Sequence, residues 1–133
     1  MQEHWKRFRL VHSEQGWLLS HAEFHPVWIK APTVERILSR CDQAMQRAKR
    51  HVVDPILGAG EDRGGLQRIG GPLWMGWDNF MPISGVNQIV GHTPGDAVRE
   101  KITPESRNYC LDVGNGAVAE ILADGQLEIL KRG

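Results

Sequence analysis

Apolar and polar positions divide the chain into short strands around one long helix. Phe8, Leu10 and His12 alternate with Arg9, Val11 and Ser13, and the turn-forming Ser13-Glu14-Gln15-Gly16 leads into the continuous apolar Trp17-Leu18-Leu19, which together predict a β-hairpin. After a linker from Pro26, the residues Val34, Ile37, Leu38, Cys41, Ala44, Met45 and Ala48 recur at helical spacing on one face. Arg36, Arg40, Gln43 and Arg47 occupy the other face. Thr33 is placed to cap this helix, Glu35 suits its positive end, and Lys49, Arg50 and His51 suit its negative end. Residues 86–90 and 108–113 read as buried strands, and residues 117–122 and 126–130 as a hairpin turning through Ala123-Asp124-Gly125. Between them, residues 54–71 are rich in Gly, Pro, Asp and Arg and predict a long functional or mobile loop, while residues 96–106 are polar and predict no element.

These elements predict an α+β fold: a mixed, largely antiparallel sheet with one long amphipathic helix, in a single domain over residues 1–133. Charge narrows the partners. Sixteen Lys and Arg balance sixteen Asp and Glu, which argues against nucleic acid and leaves a small molecule or a protein as the expected partner. Residues 1–8 hold His4, Lys6 and Arg7 with no apolar run after them, and no stretch is long and apolar enough for a membrane span. Cys41 and Cys110, one in a helical and one in a strand pattern, read as reduced buried residues, so the expected location is the cytoplasm.

Candidate chemistry centres on Ile89-Val90-Gly91-His92-Thr93-Pro94-Gly95, where a buried strand runs out into a turn. Gly91 is expected to let the backbone turn and Pro94 to stop the strand, leaving His92 at a strand's carboxyl end, where α/β proteins place their sites. A second histidine, His21, ends the Trp17 strand in the same way. Each is either a hydrogen-bonded structural residue or a ligand.

In this order, Gly16-Trp17-Leu18-Leu19-Ser20-His21-Ala22, Gly70-Gly71-Pro72-Leu73-Trp74, Asn87-Gln88-Ile89-Val90-Gly91-His92-Thr93-Pro94 and Cys110-Leu111-Asp112-Val113-Gly114 resemble the C-terminal half of calcineurin-like metallophosphoesterases. The likeness runs from about Phe8 onward. It implies half of an αββα sandwich, hydrolysis of phosphate esters by a metal-activated water, and binding of a divalent transition metal (Zn, Mn or Fe) by His21 and His92. Asp112 would close a strand near the site without being a ligand. Neutral imidazoles at neighbouring strand ends are suitable donors for such an ion.

The sequence departs from the family in its first half. The Asp-x-His, Gly-Asp-x-x-Asp-x-Gly and Gly-Asn-His-Asp/Glu motifs are missing; Asp62-Arg63-Gly64 and Gly114-Asn115-Gly116 imitate only fragments of them. Glu23 stands where the family has glycine, which either blocks a close backbone approach or adds a carboxylate. Two imidazoles fall short of the three or four protein ligands zinc usually has. Glu23 or His25 could complete the set and carry catalysis, a homo-oligomer could join two half-sites across an exposed sheet face, or a separate polypeptide could supply the lost half. Arg63 and Arg68 on the glycine-rich loop are the candidate phosphate clamps. The expected function is therefore metal-dependent phosphoesterase-type hydrolysis through a reduced or oligomer-completed site, and the alternative is a non-catalytic remnant that oligomerises or binds a partner.

Overall fold

A computed structural model describes residues 8–114 and 116–131; residues 1–7 and Asn115, with the readings made on them, lie outside it. The first hairpin forms as expected. β1 (Val11–Glu14) and β2 (Trp17–Ser20) pair antiparallel with Glu14 opposite Trp17, so the loop is the two residues Gln15-Gly16, both at positive φ. That is the backbone twist a two-residue hairpin needs, and Gly16 adopts it without strain. β3 (Asn87–Val90) and β5 (Arg107–Cys110) follow the two apolar runs.

One strand has no counterpart in the apolar pattern: β4 (Arg99–Ile102), within the stretch that reads as merely polar. It is an edge strand paired on one side only, with Glu100 and Ile102 exposed and the partly buried Arg99 and Lys101 turned to neighbouring backbone carbonyls. The sheet order is β1-β2-β3-β5-β4, with antiparallel outer pairs and a parallel centre of β2, β3 and β5. β6 (Ala117–Ile121) and β7 (Leu127–Lys131) form the predicted second hairpin, also antiparallel.

Helix α1 (Val34–Lys49) begins at Thr33, whose Oγ1 accepts from the Arg36 amide at 3.2 Å, and it buries Ile37, Cys41, Ala44 and Met45. Those residues pack with Leu10, Val11, Leu18 and Phe24 on one face of the sheet. Because side chains alternate along a strand, Trp17 and Leu19 point the other way; with Ile89 and Tyr109 they meet Ala119, Ile121, Leu127 and Ile129 of the second hairpin. The Trp17 indole ties the layers together by donating to the Gly125 carbonyl at 2.8 Å. The chain thus covers with its own hairpin a face expected to be left open. Both cysteines are free and buried, and burial pushes the Cys41 thiol up to about 12. Among the described residues no helix is long and apolar enough to cross a membrane.

The segment 54–71, whose composition predicts a long functional or mobile loop, is built of short turns and close backbone contacts. It contains two 3-10 turns, Pro55–Leu57 and Glu61–Arg63, and a bridge between Gly60 and Gln67. Its glycines serve close approach: a Cβ on Gly71 would lie 1.6 Å from the Ile56 carbonyl oxygen, and one on Gly65 1.9 Å from that of Ala59. Asp54 anchors its start. The fully buried carboxylate accepts a bidentate pair from Arg40 at 2.7 and 2.9 Å, a further bond from Arg47 at 3.3 Å and the Ile56 amide at 3.1 Å. Arg40 and Arg47, placed by the helical spacing on the face opposite the apolar one, are therefore structural.

Candidate functional site

β2, β3 and β5 run parallel, so their carboxyl ends lie side by side and the residues after them gather at one edge of the sheet. Pairing continues past the strands: the Gly91 amide donates to the His21 carbonyl at 3.0 Å, Leu111 to Val90 at 2.8 Å, and Gly95 to Asp112 at 3.0 Å. These bonds set His21 beside Gly91-His92. The result is direct: His21 Nε2 and His92 Nδ1 face each other at 2.8 Å, with ring centroids 4.7 Å apart and planes at 66°.

His92 is held in an uncommon backbone state. Its φ is +68°, and the Thr93 amide donates back to the Gly91 carbonyl at 2.8 Å, so His92 is the central residue of a three-residue turn in the strained sense. Gly91, expected to be the turning residue, needs no such freedom, since a Cβ there would meet only the His21 carbonyl oxygen at 3.6 Å. The turn is clamped from β4: Arg99 donates to the carbonyls of Thr93, Pro94 and Asp112, joining it to the end of β5. Positive φ on a bulky side chain persists only where surroundings enforce it, and here they aim one imidazole at another.

Electrostatics keep His92 uncharged near neutral pH. Burial lowers its pKa most, followed by the neighbouring His21 and Arg63, against smaller opposing effects of the Trp74 backbone and Asp112. Its second ring nitrogen, Nε2, is buried with no hydrogen-bond partner among the described residues. The Trp74 indole and the His92 ring stand nearly perpendicular, centroids 6.4 Å apart at 84°.

The residues proposed from sequence divide clearly. Arg63 reaches the site: its Nη2 approaches Thr93 Oγ1 at 3.4 Å, and the same hydroxyl oxygen accepts from the Trp77 amide at 2.9 Å. Gly76 leaves room for this, because a Cβ there would sit 3.3 Å from both Arg63 Nη2 and Asp62 Oδ2. Arg68 does not join; it is exposed and makes no side-chain hydrogen bond or ion pair among the described residues. His25 is not drawn into the imidazole pair either, since its Nδ1 accepts from the Val27 amide at 3.0 Å and caps the 3-10 turn Pro26–Trp28.

Glu23 is fully buried, and neither carboxylate oxygen finds a partner among the described residues. Burial pushes its pKa up to about 7, against weaker downward pulls from its own backbone amide and the charges of Lys101 and Arg63, and an upward one from Asp62. Lys101 is engaged elsewhere, donating to the Trp77 and Phe80 carbonyls and lying over both rings. A folded-state pKa above the ordinary 4.5 means that folding favours the protonated acid, so stability is highest below 4.5 and falls as pH rises toward 7. Relative to Glu23→Gln, the wild-type protein is expected to lose on the order of 3 kcal/mol across that window, read from urea unfolding at several pH values.

The imidazole pair fits one side of a metal's coordination sphere. With metal–nitrogen bonds of about 2.0–2.1 Å, ligand nitrogens on one ion stand about 2.9 Å apart at right angles and about 3.4 Å apart in a tetrahedron, so the rings, hydrogen-bonded to each other at 2.8 Å, would need to part slightly to share a tetrahedral ion. The donor count stops at two: among the described residues no group of three or more His, Cys, Asp or Glu side chains is arranged to hold an ion. No protein-family model, curated protein or solved structure matches the chain. The functional reading therefore rests on residues and geometry. Sequence reasoning missed Thr93, Trp74 and Arg99, although the first two lie inside the motifs that carry the family resemblance.

Proposed function

We propose that the chain is the two-histidine half of a metallophosphoesterase-type centre that hydrolyses phosphate esters. The observation that carries this reading is the nitrogen-to-nitrogen approach of His21 and His92 at 2.8 Å across adjacent parallel strand ends. His21 Nε2 and His92 Nδ1 would hold a divalent transition metal, its other protein ligands coming from a second copy of the chain. When bound, such an ion polarises a phosphoryl oxygen and lowers the pKa of a water molecule.

The chain's own residues supply binding and orientation. Arg63 is exposed and, among the described residues, its guanidinium bonds only Thr93, which leaves donors suited to a bidentate grip on phosphate oxygens. Thr93 fixes the Arg63 loop and the Trp77 turn to the His92 turn, and the His92 turn at positive φ holds its Nδ1 toward His21 Nε2, where the two would share an ion. Glu23, whose pKa burial raises to about 7, exchanges its proton near neutral pH and is the candidate for proton transfer.

The protein is expected to hydrolyse p-nitrophenyl phosphate or bis(p-nitrophenyl) phosphate, to stop after chelation, and to resume on adding Mn²⁺ or Zn²⁺. If copies share the site, activity per chain rises with protein concentration. Hydrolysis indifferent to chelation, or none at any concentration, would overturn the proposal. The low donor count is the one observation favouring a non-catalytic, partner-binding remnant. That reading predicts no hydrolysis under any of these conditions.

A further inference from the structure

Trp74 has no part in the core, yet it is fixed beside the imidazole pair. Its residue surface is 42% exposed, its Nε1 donates to the Leu57 carbonyl at 3.1 Å, and its ring lies 6.4 Å from that of His92. The indole is thus held by its polar edge at one end and by His92 at the other, while much of its surface faces water. The backbone beneath is equally fixed, since the Trp74 and Met75 amides both donate to the Gly71 carbonyl, at 2.9 and 3.1 Å, and Gly71 packs against Ile56 with no room for a side chain. An exposed tryptophan on a stiff backbone, next to the groups proposed to bind the phosphate, loses little freedom when a ring stacks on it.

We infer that Trp74 is a stacking platform that selects phosphate compounds carrying a planar aromatic or heteroaromatic ring. The inference rests on the proposed phosphoesterase reading and names the substrate class for that site. Phosphate oxygens would meet Arg63 and the imidazole pair while the ring lies against the indole. A nucleobase and a simple aryl group share the required chemistry, a flat π-face. Stacking of this kind tolerates many rings, because it reads the face and not the edge.

The test is calorimetric titration of Mn²⁺-loaded protein with phenylphosphonate and with methylphosphonate, neither of which has an ester bond to break. Phenylphosphonate is expected to bind about fivefold or more tightly. The preference should disappear in Trp74→Leu and survive in Trp74→Phe. The phosphonate analogues of adenosine monophosphate and of ribose 5-phosphate, likewise without an ester bond, form the second pair: a preference there as well assigns the platform to nucleobases, and a preference for phenylphosphonate alone assigns it to aryl groups. Equal binding of both members of both pairs by the wild-type protein, or a preference that persists in Trp74→Leu, overturns the inference and leaves the phosphate site standing. Failure of all four ligands to bind sinks the phosphate site and the platform with it.

Discussion

Arg40→Ala is expected to lower the free energy of unfolding by about 3–5 kcal/mol at pH 7, the range found when one partner of a buried ion pair is removed. Small domains have only about 5–15 kcal/mol in total, so the variant approaches the limit of a stable fold. The size follows from the geometry around Asp54, whose carboxylate is fully buried and accepts two parallel bonds from Arg40. Without that guanidinium, only the longer Arg47 contact and the Ile56 amide would face a charge already out of water. The pH dependence gives the mechanism a second readout. Arg40, more than any other neighbour, holds the Asp54 pKa below its ordinary 3.8, so the stabilisation is fully present above that value and is lost as pH falls through the lower folded-state value. Urea unfolding of the two proteins should therefore differ most near neutrality and converge in acid. A gap that stays constant at low pH would show that Arg40 acts through packing of its alkyl stem alone.

Local patterning accounts for much of the architecture. Ser13-Glu14-Gln15-Gly16 between two strand patterns reads as the turn of a hairpin, which the structure tightens to Gln15-Gly16, and the spacing of Ile37, Cys41, Ala44 and Met45 after Thr33 specifies a capped amphipathic helix. The meeting of His21 and His92 was legible for a related reason: each follows an apolar strand, and neighbouring parallel strands bring their following residues together. Features that depend on long-range placement were not legible. Arg40 and Arg47 look like any solvated helix arginines until the chain returns Asp54 beneath them. β4 hides because an edge strand carries charge where a central one would carry apolar residues. Gly65 and Gly71 make the 54–71 segment look slack by composition, whereas they are the residues that let it pack closely. Glu23 was identifiable as an intrusion, but its burial without a partner is a property of the assembled core.

His21→Ala and His92→Gly should each weaken divalent-metal binding by more than about a hundredfold, because each removes one of only two protein donors in the proposed half-site. Glycine is the suitable replacement at position 92, since it accepts the left-handed backbone there without the strain an alanine would carry. His21 is exposed, so its truncation opens no core cavity. Both variants should therefore unfold at close to the wild-type urea concentration while losing hydrolysis, a combination that separates a lost ligand from a damaged fold. The account turns on whether these two imidazoles act as one donor pair. Calorimetric titration of untagged, metal-free protein with Zn²⁺ tests this most directly: the account predicts stoichiometric uptake by the wild-type protein and none by either variant at the same concentration, whereas no uptake by the wild-type protein, or uptake unchanged by both substitutions, would contradict it.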